Sequence, residues 1–343
     1  MEKGCLFGTH RVIEPAGTLP QAAVKIDNSM EIKSNEILID VQTLNIDSAS
    51  FTQIKNACGS DKEKMEKMIL DIVAERGKMQ NPVTGSGGML IGTIKEIGTD
   101  VKEDVKVGDK IATLVSLSLT PLKIKEIKDI KLDNDQVDVE AQAILFESGI
   151  YSILPADMPE KLVLAALDVA GAPAQVDKLV KEGDEVCIVG AAGKSGVLCV
   201  YQAMKKCGPN GKVIGVVHRE EDKKTLEDLE LCHEIVIADA TDALDVYKKV
   251  TTANGGNRVD VTFNVVNVEN TEMSCILSTK DTGVVYFFSM ATSFTKAALG
   301  AEGVGSDVTM LIGNGYTRGH AKLTLDLVNE ADKIRELFEN KYA

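Results

Sequence analysis

The order of apolar and polar positions divides the chain into two halves of different period. In the first half, apolar and polar residues alternate over residues 36–45, 89–98 and 107–115, the mark of strands with one buried face. The lysine-rich run 123–131, with isoleucines interleaved, predicts a further strand with a solvated face. Between these strands Met65, Met68, Ile69, Ile72 and Val73 recur at helical spacing, introduced by Ser60 and Glu63 as a capping box and closed by Gly77. A turn around Asp104 and the Val107-Gly-Asp-Lys110 turn link short strands of a compact barrel, and residues 137–151 read as a helix leading onward. In the second half, short apolar runs at 186–189, 213–217, 235–238, 261–266, 283–288 and 308–312 alternate with helical segments. A last helix over 321–337 places Leu323, Leu327, Val328, Ile334 and Leu337 on one side. This order predicts an α/β fold: a β-rich domain over residues 1–152, a doubly wound parallel sheet over 153–318 and a C-terminal helix over 319–343.

The run at 186–189 passes into Gly190, Gly193 and Gly196, and then into a helix that begins near Lys194. Glycine suits a tight reversal, a close ligand approach and a helix lying close on the sheet. The unpaired N–H groups of that helix start attract an anion, and the strand that follows over residues 211–218 completes a strand–helix–strand unit. The spacing predicts a dinucleotide site in which Gly190, Ala191, Ala192, Gly193, Lys194, Ser195 and Gly196 border the pyrophosphate. A nucleoside-triphosphate loop ending in Gly193-Lys194-Ser195 is excluded, because Ile188 stands where its first glycine must be. Ligands of such sheets lie at the carboxyl ends of the strands. That rule puts Asp239 and Ala240 on the adenine side, with Val266, Asn267, Phe288, Ser289 and Met290 near the nicotinamide ribose. The second strand ends in His218 and Arg219, where an NAD enzyme usually offers an acid. The local charge therefore leaves NADP open beside NAD.

The 343 residues, 44% apolar and 26% charged, suffice for two domains with their own cores. A formal charge of −14 argues against nucleic acid or an anionic membrane as partner. No stretch approaches the apolar length of a membrane span, and the first residues lack a basic start followed by an apolar run, so a cytoplasmic protein is expected. Seven cysteines without a C-x-x-C pair predict reduced, mostly buried thiols. Four scattered histidines, His10, His218, His233 and His320, show no ligand spacing.

Taken in order, Gly92-Thr-Ile-Lys-Glu-Ile-Gly98, Val107-Gly-Asp-Lys110, Leu167-Asp-Val-Ala-Gly-Ala-Pro-Ala174 and the glycine turn resemble the medium-chain dehydrogenase/reductase superfamily. That resemblance implies a GroES-like β-barrel catalytic domain followed by a Rossmann domain. More narrowly, residues 8–23 and 43–51 resemble the family of L-erythro-3,5-diaminohexanoate dehydrogenases of anaerobic lysine fermentation. The family implies an NAD-dependent oxidation of the substrate's 3-amine, giving 5-amino-3-oxohexanoate and ammonia, in a homodimer. Zinc-dependent members of the superfamily carry a cysteine after the first long strand and Gly-His-Glu where this chain has Gly85-Ser-Gly-Gly-Met89. Both are missing, so no metal is expected.

Such chemistry needs a base, because hydride cannot leave carbon until the ammonium has lost a proton, and it needs partners for the second ammonium and the carboxylate. Asp47, Asp168 and Glu147 are candidates for base or ammonium partner, as is Glu14. Arg11 is the candidate for the substrate carboxylate, and His10 is a candidate proton shuttle. The competing readings are a zinc-independent NADPH enone or quinone reductase and a non-catalytic dinucleotide-binding protein.

Overall fold

Residues 37–46 form the spine of the first half, because apolar side chains on both faces of that strand are covered. The computed structural model describes residues 1–343 except Glu103, Asp104, Asn314 and Ala343, so the turn around Asp104 lies outside the described residues. Its chain folds as two units, Met1–Met158 and Pro159–Ala343. In the first, β1 (Val12–Glu14) pairs with β2 (Lys25–Ile26), and β3 (Ile37–Ile46) is followed by α1 (Ser48–Ala57) and α2 (Lys62–Arg76). Then come β4 (Gly88–Ile97), β5 (Lys110–Thr113), β6 (Leu122–Lys131), β7 (Gln136–Leu145) and β8 (Tyr151–Ile153). The order β6-β7-β3-β4-β5-β8 is antiparallel throughout, with β3 inside it. Ile39, Leu44 and Ile46 of β3 are fully buried in a core shared with Met65 and Ile69 of α2. Truncating any one of them to alanine costs about 2–5 kcal/mol.

Two expectations are corrected here. Residues 137–151 do not form a helix: Val137, Val139, Ala141, Ala143 and Leu145 are buried at every second position, and β7 pairs with both β3 and β6. The alanines and acids of this run favour a helix locally, but sheet pairing on both edges outweighs that preference. Helix α2 is capped by Asp61, whose carboxylate accepts from the Glu63 and Lys64 amides at 3.1 and 3.3 Å, while Ser60 stands outside at φ 62°. The predicted closing glycine is in place, Gly77 at φ 73°. On β6 the lysines 123, 125 and 128 are exposed while Ile127 and Ile130 are buried.

The second unit begins with α3 (Glu160–Leu167) and α4 (Gly171–Leu179), then β9 (Glu185–Val189), α5 (Lys194–Cys207), β10 (Lys212–Val217) and α6 (Glu220–Asp228). It continues with β11 (Glu234–Ile237), α7 (Ala243–Ala253), β12 (Val259–Asn264), α8 (Glu272–Ser278), β13 (Thr279–Phe287), α9 (Phe294–Val304) and β14 (Thr309–Ile312). All six strands run parallel in the order β11-β10-β9-β12-β13-β14, so the order reverses beside β9. The last expected helix is two, α10 (His320–Glu330) and α11 (Asp332–Lys341). An extended Ala331 restarts the helix, so Leu325 and Phe338 are buried while Leu323 and Leu337 are half-buried. All seven cysteines are free thiols. Burial pushes Cys187, Cys199 and Cys275 well above the ordinary thiol range. Among the described residues no helix is long and apolar enough to cross a membrane.

Candidate active site

The turn after β9 is built from backbone. Gly190 has φ 90°, and a Cβ there would stand 2.9 Å from the Val266 amide. A Cβ on Gly196 would stand 2.1 Å from the Gly190 carbonyl oxygen, so α5 lies against the turn itself. Gly193 differs: at φ −75° its backbone suits any residue, and the nearest atom to a Cβ there is 3.3 Å away. Its lack of a side chain leaves room over the turn. Helix α5 has no side chain capping its start and no acid in its first turn. Its unpaired N–H groups and positive dipole end are therefore available to an anion, which is what a diphosphate requires. Lys194 adds a cation at the same place, where its Nζ bonds to Asp168 Oδ2 at 2.8 Å. The residues present fit a dinucleotide.

The other residues expected to border it stand along the carboxyl edge of the parallel sheet. His218 follows β10, exposed, and Arg219 is the residue before α6. Arg219 donates to both Asp222 carboxylate oxygens at 3.2 and 3.3 Å, and the first turn of α6 carries Glu220, Glu221 and Asp222. Asp239, beyond β11, accepts from the Thr241 amide and hydroxyl, which with His218 nearby hold its carboxyl below the usual range. Ala240 accepts the Ser274 hydroxyl. Val266 and exposed Asn267 follow β12. At the end of β13, Phe288 and Ser289 both donate their amides to the Asn264 carbonyl, which fixes the two strand ends together. Phe288, Ser289 and Met290 line a largely apolar cavity of about 170 Å³ with Ile312 and Gly313.

Side chains, not backbone, make the chemically rich part of the first unit. Arg11 is 3% exposed, and its guanidinium is engaged on every side: Nε and Nη2 bind the Glu36 carboxylate at 2.8 and 2.7 Å, and the Ser29 and Glu31 carbonyls accept the rest. The expectation that Arg11 binds a substrate carboxylate is corrected on that ground. His10 is held likewise, with Nδ1 accepting from the Cys5 amide and Nε2 against Glu36. Those partners assign the proton to Nε2 and leave no lone pair for shuttling. Glu147 accepts from Asn35 and lies 3.6 Å from the Lys3 ammonium, so it fastens the chain's first residues and is not a free base. Glu14, at the end of β1, is exposed. Asp168, candidate base of the second unit, is already neutralised by Lys194.

Asp47 is placed differently. As N-cap of α1 it accepts the Ser50 amide through Oδ1 at 3.1 Å, while Oδ2 is buried without a hydrogen-bond partner. A buried carboxylate oxygen without a protein donor is costly, so this oxygen is open to a donor from water or a ligand. Beside it, the hydroxyls of Ser50, Thr84 and Ser86 form a closed triangle with edges of 2.6, 2.8 and 3.0 Å. Buried Asn81 organises that loop, accepting from the Val83 and Thr84 amides and donating to Gln53 and the Ser50 carbonyl. The sequence reading missed this triangle. Its available signals were the Asn-Pro turn at 81–82 and the serine inside Gly85-Ser-Gly-Gly-Met89. Lys78 is also perturbed, pushed down to about 8 by burial, with Arg76 adding to the shift. Its Nζ is tied to the Pro20 carbonyl at 2.6 Å, so it anchors backbone. Among the described residues no group of three His, Cys, Asp or Glu side chains converges to hold a metal ion.

Comparison with known proteins extends over both units. The family model described as the L-erythro-3,5-diaminohexanoate dehydrogenase N-terminal domain matches residues 10–155. An L-erythro-3,5-diaminohexanoate dehydrogenase of Acetoanaerobium sticklandii is 63% identical over 342 residues, 99% of each chain. One from Fusobacterium nucleatum is 64% identical over 344 residues, 100% of each. Among solved structures, a mycobacterial protein complexed with NADPH aligns with TM-score 0.54 at 16% identity, covering 93% of this chain and 85% of that one. The Escherichia coli quinone oxidoreductase complexed with NADPH aligns with TM-score 0.51 at 15% identity, covering 88% and 81%. These structural likenesses show the fold, a Rossmann sheet with a GroES-like domain.

Proposed function

The chain belongs to the L-erythro-3,5-diaminohexanoate dehydrogenase family, and from that premise we propose how its residues divide the work. It is an oxidoreductase acting on a CH–NH2 group: L-erythro-3,5-diaminohexanoate is oxidised at C3 to 5-amino-3-oxohexanoate, and ammonia is released. The observation that carries this function is likeness at 63–64% identity over essentially the whole of both chains. The enone reductase reading draws on shared fold alone, at 15–16% identity.

A nicotinamide dinucleotide supplies the hydride acceptor, and the residues that would hold it are Gly190 to Gly196 at the diphosphate, with Phe288, Ser289 and Met290 toward the nicotinamide. NAD is the preferred form. Three acids in the first turn of α6 repel a 2′-phosphate, and Asp222 occupies the guanidinium that would otherwise bind one. Asp47 takes the substrate's reacting ammonium on Oδ2 and accepts its proton, freeing the nitrogen lone pair that must replace the departing hydride. Water then adds to the resulting iminium, and the Ser50–Thr84–Ser86 triangle carries the surplus proton outward, since Ser50 is buried and Thr84 exposed. A homodimer is supported by β14, the edge strand of the parallel sheet, beside exposed Met290, Phe294 and Ile312.

The test is turnover of the diamino acid with NAD or NADP, with nicotinamide reduction and ammonia release measured together. Equal molar yields and a higher kcat/KM with NAD are expected. Reduction without ammonia overturns the reaction, and a higher kcat/KM with NADP overturns the coenzyme assignment.

A further inference from the structure

Every hydrogen-bonding group of Asn81 has a protein partner, and the partners share a pattern. The side chain is fully buried. Its Oδ1 accepts from the Val83 amide at 2.8 Å and, at 3.5 Å, from that of Thr84, an Asx turn around Pro82 that any short acceptor can make. Its Nδ2 donates to Gln53 Oε1 at 2.8 Å and to the Ser50 carbonyl at 3.4 Å, both on α1, and that requires an amide. The orientation is fixed, because backbone N–H groups only donate and the Ser50 carbonyl only accepts. On the main chain, the Asn81 amide donates to the Ser86 carbonyl at 3.0 Å, and the Asn81 carbonyl accepts from the Gly85 amide at 2.8 Å. One residue is thus bonded to the backbone of Ser50, Thr84 and Ser86, whose hydroxyls form the triangle.

The end of the same loop touches Asp47. The Asp47 amide donates to the Gly87 carbonyl at 3.3 Å, and a Cβ on Gly88, at φ 117°, would stand 2.8 Å from that amide. Asn81 itself has no polar atom left for a substrate, so it acts only through what it holds. Along each edge of the triangle either oxygen can donate, so the ring of hydroxyls runs in either sense and a passing proton reverses it. Such a relay depends on three oxygen–oxygen distances at once, and a misplacement of about 1 Å costs about a hundredfold in rate.

We propose that Asn81 is the positioning residue of this relay and governs hydrolysis of the iminium, not the hydride transfer before it. When water adds, its oxygen bonds to C3, the C=N π pair returns to nitrogen and one water proton is set free. That proton enters the hydroxyl ring and leaves at exposed Thr84. The role rests on the functional reading above.

The test follows NADH formation after rapid mixing with the diamino acid and NAD. Asn81→Ser keeps a turn-forming acceptor, adds no charge and is too short to reach α1. Its first hydride transfer and its NADH affinity should match wild type, while steady turnover falls about 10- to 100-fold, leaving a burst of about one NADH per active site. Ser86→Ala, which opens the ring, should give the same burst, and adding Asn81→Ser to it should cost less than about twofold more, since both act on one element. Gln53→Ala removes a single partner of the amide and should show the burst with a loss of about two- to tenfold, the scale of one hydrogen bond. It carries the test by itself if Asn81→Ser does not fold. A slowed first hydride transfer, additive losses in the double variant or an unchanged steady rate overturns the positioning role while the enzyme's activity stands. Wild-type protein that leaves the diamino acid unreacted overturns the functional reading, and the role with it.

Discussion

The two units build their candidate sites from different material. Around β9 the proposed anion-binding surface is main chain: amides, a helix dipole and glycines kept free of side chains, with the Lys194–Asp168 pair as its charged side chains. Around the start of α1 the surface is side chain: a carboxylate with one unsatisfied oxygen and three hydroxyls bonded to one another. A backbone site tolerates little change where atoms touch and is indifferent elsewhere. A side-chain site depends on which charges the surrounding network has already satisfied, and the Arg11–Glu36 pair shows how completely a promising charge can be absorbed by structure.

That contrast orders the expected effects. Glu36→Ala should be the most damaging change, because it strands the buried Arg11 guanidinium: about 3–5 kcal/mol of stability, read by denaturant melts. Burial pushes the Glu36 carboxyl up, but hydrogen bonds from Arg11 and the Lys33 amide, with the Arg11 charge, outweigh it and hold the group below its ordinary 4.5. A depressed carboxylate stabilises the fold above its unfolded value, so the wild type should lose this contribution as pH falls from about 4.5 through the folded value. The variant should show a flatter acid limb; parallel curves for the two proteins would remove the pair from the account.

Gly196→Ala comes next. Its Cβ meets the Gly190 carbonyl, and an overpacking cost of about 1–3 kcal/mol at the turn amounts to as much as a hundredfold in NADH affinity. Unchanged affinity would mean that the turn does not hold the coenzyme. The smallest effects fall on the partly exposed Lys194–Asp168 pair, and they should have opposite signs. Lys194→Ala weakens NADH binding by about two- to fivefold and Asp168→Ala tightens it by a similar factor, both fading at high salt. Titrations in which both variants shift the same way would show that Lys194 does not serve the diphosphate.

Legibility in the sequence follows the same division. The glycine turn and the six parallel strands could be read because each depends on local pattern: glycines at a reversal, short apolar runs and intervening helices. β7 could not, since Ala141, Ala143 and the neighbouring acids speak for a helix until strands β3 and β6 are placed on either side. The pattern points to Ser60 as the cap of α2, and Asp61, one residue on, takes that place because the backbone at Ser60 turns left-handed. Arg11, His10 and Glu147 have the right chemistry for a site. What removes them is Glu36, Asn35 and Lys3, partners brought there by folding. Ser50, Thr84 and Ser86 are ordinary residues in a sequence and become a network only when the 81–88 loop packs on α1.

The division of labour itself is tested most directly by Asp47→Asn. Asparagine keeps the helix cap while removing the charge, so NADH affinity should stay within about twofold and the single-turnover rate of hydride transfer should fall by about a hundredfold, the scale of a lost general base. An unaltered rate, or a loss confined to NADH affinity, would contradict the assignment of amine chemistry to the first unit.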